Sequence, residues 1–463
     1  MNLIKTSCIK IPLHCEGEPW CQDILKDLTR IGSDYNDPTV KITTHYYEKK
    51  DGFIMIPRFY EVQRYGHKVV DYTPEGDDIN IKFNSSWRNE LQLSGFNMLT
   101  QYNHGILKLP PGEGKTVVSI GAICHVGKKS IVFVHKDSLI SQWKERFIQH
   151  SNIKADDIGI LKTDKCRDVF KKPIVLSTVQ TLVSMLERVD NIEQVLLDAK
   201  FGFAIWDECH TTTGAPQYSR TSMHIPCRRT FGLSATPGRP DQNHDVIGMH
   251  LGGVYAPDGE SKTMKPKIMM LYFSHGADYA KQYVYWGARD KNGNAKEKWA
   301  RFDTTRYLSI LTSKKNTKYI PMMRKIARKV YMSDRITLLI SDRIKVLDAI
   351  VAGKNIPKHD AGFFIPRSKD KRDSELLKKF VLSTPGSSRD GTDRQEFNCL
   401  IMANCISNIP QAAGRVCRFM VNKLQPVIFD CVDTDFEELI ERAEGRKKIY
   451  AENGWEVEEK FLK

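Results

Sequence analysis

The chain has 463 residues, 41% of them hydrophobic, with a mean hydropathy of −0.42, so it is long enough for two to four domains with ample cores of their own. It contains no run of about 18 apolar residues, which excludes a membrane-spanning helix, and its first residues lack the apolar stretch of a signal peptide, so a cytoplasmic protein is expected. Eleven scattered cysteines and a net charge of +14 argue against a disulfide framework and for a polyanionic partner.

The charge is concentrated. Residues 261–330 hold 17 Lys and Arg against 4 Asp and Glu, a balance of +13, whereas residues 1–85 hold 11 against 13. Residues 1–85 mix short alternating runs (Val40–Tyr47, Gly52–Pro57) with turn signals and read as a small α+β accessory domain, with a last hairpin at Asp77-Asp78 before Ile79-Asn80-Ile81. Cys8, His14, Cys15 and Cys21 cluster there without Cys-x-x-Cys spacing and read as small buried residues. Its tyrosines read as core, with base stacking as the alternative.

From residue 86 onward, apolar runs of strand length alternate with helix-length amphipathic stretches, the order of doubly wound α/β domains. The expected strands are Gly105–Leu109, Ser130–His135, Pro173–Thr178, Phe201–Trp206 and Thr230–Ser234, then Ile336–Ile340, Gly362–Ile365, Phe380–Ser383, Asn398–Ala403 and Pro426–Asp430. Near-continuous apolar strands mean parallel sheets buried on both faces. The expected division is 1–85, 86–255 and 256–463, and the charged stretch 433–463 reads as a solvated helical tail.

Between two such runs lies Leu109-Pro110-Pro111-Gly112-Glu113-Gly114-Lys115-Thr116. Gly112 and Gly114 let backbone N–H groups approach phosphate oxygens, Lys115 can reach the β/γ-phosphates, and Thr116 offers a hydroxyl to Mg²⁺. Asp207 and Glu208 end the fourth strand at the edge where such sheets bind ligands. Asp207 can hold Mg²⁺ while Glu208 activates a water against the γ-phosphate of ATP. Ser234 and Thr236 follow the next strand and suit a relay of nucleotide state. Gln411, Arg415 and Arg418 fall at helical offsets of four and three, which places two guanidiniums on one face for a developing phosphoryl charge. In the basic segment, Trp286, Lys291, Lys298 and Trp299 surround an Asn-Gly-Asn turn and suit phosphate tracking and base stacking.

The phosphate loop, Asp207-Glu208-Cys209-His210, Ser234-Ala235-Thr236 and Gln411-x-x-Gly-Arg415-x-x-Arg418, in this order, resemble superfamily 2 helicases. Gln142-Trp143, Ser177-Thr178-Val179-Gln180 and the short spacing from His210 to Ser234 resemble its XPB/UvsW-like branch, and within it the phage branch-migration helicases of the UvsW type. The resemblance covers residues 86–450. It implies two RecA-like domains in tandem, ATP and Mg²⁺, a monomer acting on branched or forked duplex DNA without membrane association, and a host cytoplasm for a phage-encoded chain. It further implies nucleotide contacts from Gln92, Glu113 and His210, and DNA contacts from Ser138, Thr178, Gln180 and Gly391. An RNA- or duplex-directed translocase, and an ATP-switched binder that does not move, remain open alternatives.

Overall fold

Two seven-stranded, all-parallel sheets carry the two compact units of the chain, Met1–Ser261 and Lys262–Lys463. This computed structural model describes residues 1–33, 41–162, 166–237, 244–259, 263–286, 301–352, 356–366, 372–389, 394–404, 406 and 409–462.

The first unit opens with a five-stranded sheet of β1 (Asn2–Lys5), β2 (Ile9–Pro12), β3 (Glu48–Lys50), β4 (Phe53–Ile56) and β5 (Lys68–Asp71), in the order β3-β4-β2-β1-β5. The helix Pro19–Asp27 covers it, and Cys15, Cys21, Tyr46 and Tyr60 are buried in its core. The cysteine grouping and two of the candidate stacking tyrosines are thus packing residues. Residues 77–83 do not form the expected hairpin. They lie along the large sheet's body instead, with Asp77 N bonded to Lys200 O, Ile79 N to Gly127 O, and Ile81 sunk into its core. Two alternating isoleucines found a ready-made apolar surface there and had no need of a partner strand of their own.

The large sheet of this unit comprises β6 (His104–Lys108), β7 (Ser130–Val134), β8 (Ile158–Ile160), β9 (Ile174–Thr178), β10 (Phe203–Asp207), β11 (Arg229–Ser234) and β12 (Val254–Tyr255), ordered β8-β9-β7-β10-β11-β6-β12. Successive side chains of each strand point to opposite faces, and both faces are dry. Val132, Val134, Phe203 and Ile205 pack under the helices Glu90–Gln101, Lys115–Val126 and Asp137–His150, while Ile131, Phe133, Ala204 and Trp206 pack under Val179–Arg188 and Ile192–Asp198. Each such side chain contributes about 1.5–3 kcal/mol of burial, which is why the runs are apolar throughout.

The small sheet is latched to the large one by buried polar contacts. Arg58 donates to Thr6 O (2.6 Å), Cys227 O (2.9 Å) and Thr230 Oγ1 (2.6 Å). His224, 3% exposed, lies 2.9 Å from Glu48 and 3.7 Å from Glu193. Burial opposes the imidazolium, but the carboxylates of Glu193 and Glu48 beside it outweigh that and raise the His224 pKa. The histidine in turn holds Glu193 down at about 2, and Glu48 low as well. The histidine's contribution is complete below its unfolded pKa of about 6.5 and is lost as pH rises through the raised folded value; the carboxylates contribute above about 4.3 and lose that as pH falls. The stability lost in His224→Gln, read from urea unfolding, is therefore expected to be largest between about pH 4.5 and 6.5 and to shrink toward pH 9. A loss that grows with pH in that range would overturn the latch.

In the second unit the sheet comprises β13 (Lys267–Phe273), β14 (Thr337–Ile340), β15 (Ala361–Phe364), β16 (Phe380–Ser383), β17 (Cys399–Met402), β18 (Val427–Asp433) and β19 (Glu456–Phe461), ordered β15-β16-β14-β17-β18-β13-β19. The stretch 433–463 is therefore not wholly helical. A helix spans Glu437–Glu452, and Glu456–Phe461 then adds a parallel edge strand on β13. That strand is charged at four of its six positions, which suits an edge strand open to water. Among the described residues no helix is long and apolar enough to cross a membrane.

Candidate nucleotide site and nucleic-acid contacts

All strands of the first large sheet run the same way, so the segments that leave their carboxyl ends meet along one edge. The loop after β6 reaches the helix Lys115–Val126 through Gly112 (φ 84°) and Gly114 (φ 81°), both in the left-handed region. A Cβ on Gly114 would lie 2.5 Å from Gln92 Nε2, so a side chain there would displace the Gln92 amide as well as strain the left-handed backbone. Gln92 is hooked to the loop. Its Nε2 donates to Glu113 O (2.9 Å), and its Oε1 accepts from Arg88 N (2.9 Å). The fully buried Glu113 carboxylate accepts from Arg88 (2.7 Å) and Asn89 Nδ2 (3.0 Å). Glu113 thus braces the loop from behind. Lys115 and Thr116 are half-buried, with Lys115 Nζ donating to Leu109 O at 3.3 Å, a carbonyl of the same loop.

Asp207 ends β10 and is buried. Its Oδ2 accepts from Trp143 Nε1 (2.9 Å) and its Oδ1 from Glu208 N (3.0 Å). Burial first, and then the Glu208 charge, push the Asp207 pKa up, while the Trp143 bond and the Lys115 charge pull it down. Glu208 sits at φ 47°, left-handed for a non-glycine residue, and so turns its side chain out of the strand line at the head of the helix Cys209–Thr212. His210 Nδ1 lies 2.9 Å from Ser234 Oγ and 3.5 Å from Glu208 Oε2. Ser234 Oγ also accepts from Thr236 N (3.1 Å). The Asp-Glu-x-His and Ser-Ala-Thr segments are therefore one hydrogen-bonded group, joined across neighbouring strands β10 and β11.

Further along the same edge, Thr178 ends β9 and caps the helix Val179–Arg188, its Oγ1 accepting from Thr181 N (3.1 Å). Gln180 Nε2 donates to His135 O (3.1 Å), and Ser138 lies in the first turn of the helix Asp137–His150 that follows. The segments that follow β7 and β9, which carry Ser138 and Gln180 and start from Thr178, thus meet at this edge through the Gln180–His135 bond.

In the second unit, Gln411 lies on the helix Ile409–Ala413, but its side chain is outside the described residues. The helix stops at Ala413, so Arg415 lies in the turn beyond and Arg418 past that turn, rather than both on one helical face. Val416 and Cys417 are drawn into the core, and Val416 N and Cys417 N both bond Ala413 O. Trp286 lies on a two-residue strand paired with Arg301–Phe302, its side chain outside the described residues, as are Lys291, Lys298, Trp299 and Gly391 altogether.

Trp143 is the functional partner that residue-by-residue reading did not assign, although Gln142-Trp143 carries part of the family resemblance. An indole 64 residues ahead of Asp207 gives no local sign of whose carboxylate it meets. Only the closeness of the helix Asp137–His150 to β10 does so.

Residues 77–239 match the ResIII family, the type III restriction enzyme res subunit. The chain is 22% identical over 462 residues to a protein of Acanthamoeba polyphaga mimivirus described as an ATP-dependent RNA helicase, covering 95% of this chain and 83% of that one. It is 24% identical to helicase D10 of Escherichia phage T5 (76% and 72% covered) and 32% identical to the Schizosaccharomyces pombe XPB helicase/translocase subunit of factor IIH, there over 32% of this chain and 19% of the other. Residues 77–239, which carry the phosphate loop and the paired acids on one edge of a parallel sheet, thus match the ResIII family, and the chain is similar to the XPB and phage helicases.

Proposed function

We propose that the chain is an ATP-dependent DNA helicase or translocase that unwinds or branch-migrates forked and branched duplexes. The observation that carries this reading is the edge of the first sheet, where the phosphate loop, the Asp207–Glu208 pair, the His210–Ser234 link and the segments of Thr178 and Ser138 stand at the carboxyl ends of strands β6, β10, β11, β9 and β7. Nucleotide chemistry and a nucleic-acid contact surface then share one rigid support, so that a change at the first moves the second.

The residues fit ATP and Mg²⁺: a loop with two left-handed glycines that Gln92 holds from its side, a lysine whose ammonium is held at the loop's own carbonyl, and a buried carboxylate aimed by an indole. Backbone N–H groups of Gly112, Gly114 and Lys115 hold phosphate, and Lys115 neutralises it. Asp207 and Thr116 would hold Mg²⁺, which supplies charge neutralisation at the phosphates. Glu208 takes the proton of the attacking water, and His210, Ser234 and Thr236 relay the outcome. Gln411, Arg415 and Arg418 are assigned to transition-state charge. Residues 1–85 serve as a DNA-recognition module, 86–255 as the ATP-binding helicase domain, and 256–463 as the second helicase domain.

Trp143→Phe tests the site. The bond it removes favours ionised Asp207 and, as a bond to a charged group, is worth about 1.5–3 kcal/mol. The variant's Asp207 should therefore protonate at higher pH, moving the acid limb of the ATPase pH profile up by about one unit or more and lowering kcat. An unmoved limb would remove Trp143 from the site. ATPase stimulation compared across single strands, duplex, fork, four-way junction and RNA tests the substrate, with the fork or junction expected to stimulate most. The mimivirus relative favours a second reading, an RNA-directed translocase, which strongest stimulation by RNA would establish.

A further inference from the structure

Residues 304–333 contain eight cations (Arg306, Lys314, Lys315, Lys318, Arg324, Lys325, Arg328 and Lys329) and no acid. The structure arranges five of these on the helix Tyr319–Tyr331 and its N-cap. Tyr319, Met323, Ala327 and Val330 bury one face of the helix, and Arg324 pins it to the next helix by donating to Ala349 O through Nε (3.0 Å) and an Nη (2.7 Å). Lys318, Lys325, Arg328 and Lys329 are left on the solvent side, all exposed, with exposed Lys314 and Lys315 in the preceding turn. Lys318, Lys325 and Lys329 stand at offsets of seven and four, so they form one line about 16 Å long.

Three features set this line apart from an ordinary wet helix face. Among the described residues, none of these six exposed cations has an ion-pair partner, and no acid lies at the i±3 or i±4 positions where a solvated helix usually places one. The first turn of the helix carries no acid and its N-cap is Lys318, so positive charge stands at the end where the helix dipole already repels it. The exposed side also carries no aromatic ring on which a base could stack. A face selected for its own stability would have none of these features, whereas a face selected to meet a polyanion needs the first two.

We propose that the line Lys318–Lys325–Lys329, widened by Lys314, Lys315 and Arg328, is a second nucleic-acid contact that tracks the phosphate backbone of a duplex, separate from the edge that holds Ser138, Thr178 and Gln180. A stretch of about 16 Å is long enough to follow about three successive phosphates of one strand, one for each lysine of the line. Without stacking partners the contact reads charge and spacing, so it is independent of sequence and stronger for duplex than for an unpaired strand. This inference rests on the helicase reading, and the two fail differently.

The test is the triple variant Lys318→Gln/Lys325→Gln/Lys329→Gln in the full chain, with the triple Lys→Arg variant beside it, measured for duplex and single-strand affinity over a series of salt concentrations. The Gln variant is expected to lower the slope of log K against log salt by about two to three for duplex, at about 0.9 per phosphate contact, and to weaken duplex binding at least about tenfold in low salt. The Arg variant should keep both, and single-strand affinity should fall less than duplex affinity. An unchanged slope in the Gln variant, while nucleic acid still stimulates the wild-type ATPase, would overturn the contact. Equal losses in both variants would also overturn it, since the effect would then be one of packing. Failure of every nucleic acid to stimulate or bind the wild type would instead overturn the helicase reading.

Discussion

Glu208→Gln is expected to bind ATP with nearly unchanged affinity and to lose nucleic-acid-stimulated turnover by about 10²- to 10⁴-fold, the range that a positioned general base contributes. The glutamine keeps the volume and hydrogen-bonding reach of the glutamate, and the left-handed turn at φ 47° that presents it belongs to the backbone. Asp207 keeps its bonds to Trp143 and to the residue-208 N–H, so the fold of the site is untouched. What disappears is the group that accepts the water's proton. Lys115→Ala should fail differently, losing nucleotide affinity itself, because its charge meets phosphate in the ground state as well as in the transition state. Nucleotide binding and single-turnover hydrolysis measured on both variants separate the two losses. Robust stimulated turnover in Glu208→Gln would take the base assignment away from this residue.

The ten core strands were legible because a parallel strand buried on both faces is apolar along nearly its whole length, and runs such as Ile131–Val134 and Phe203–Trp206 have no other use in a chain of this hydropathy. The strands that escaped reading have weaker patterns. Ile158–Ile160 and Val254–Tyr255 are only three and two residues long, and Glu456–Phe461 is an edge strand whose charges imitate a solvated helix. Lys267–Phe273, apolar for most of its length, escaped because it lies within the segment read for its charge. The glycine loop and the Asp207–Glu208 pair were visible because phosphate chemistry restricts both residue type and spacing. The indole on Asp207, the Arg88–Glu113 brace and the Gln92 hook were not, since each joins residues that meet only once helices are laid on the sheet. The Arg415–Arg418 pair shows the opposite limit: helical spacing was present in the sequence, but Val416 and Cys417 are wanted by the core, and the helix gives way to a turn.

Arg446 was the least legible residue of all, read as one charge on a wet helix and found 4% exposed. Its guanidinium grips the Asp430 carboxylate with two parallel bonds, Nε to Oδ2 at 2.8 Å and an Nη to Oδ1 at 2.9 Å, and Tyr450 Oη donates to the same Oδ2 at 2.8 Å. Asp430 lies in the middle of β18, fully buried, so the pair fastens the helix Glu437–Glu452 to the second sheet. Removing one partner leaves the other charge buried in a medium that cannot solvate it. Arg446→Met is therefore expected to destabilise the second unit by about 3–5 kcal/mol, seen as a lower urea midpoint for the unfolding phase that reports Trp455. The double variant Asp430→Leu/Arg446→Met should recover much of that loss, because an apolar pair of similar volume carries no desolvation cost. Tyr450 then keeps its ring packed but loses its acceptor, a remaining cost of about 1–3 kcal/mol for a buried hydroxyl left unpaired. Additive losses in the double variant would mean that the two charges do not depend on each other, and that the helix is held by its apolar contacts at Leu439 and Ala443 alone.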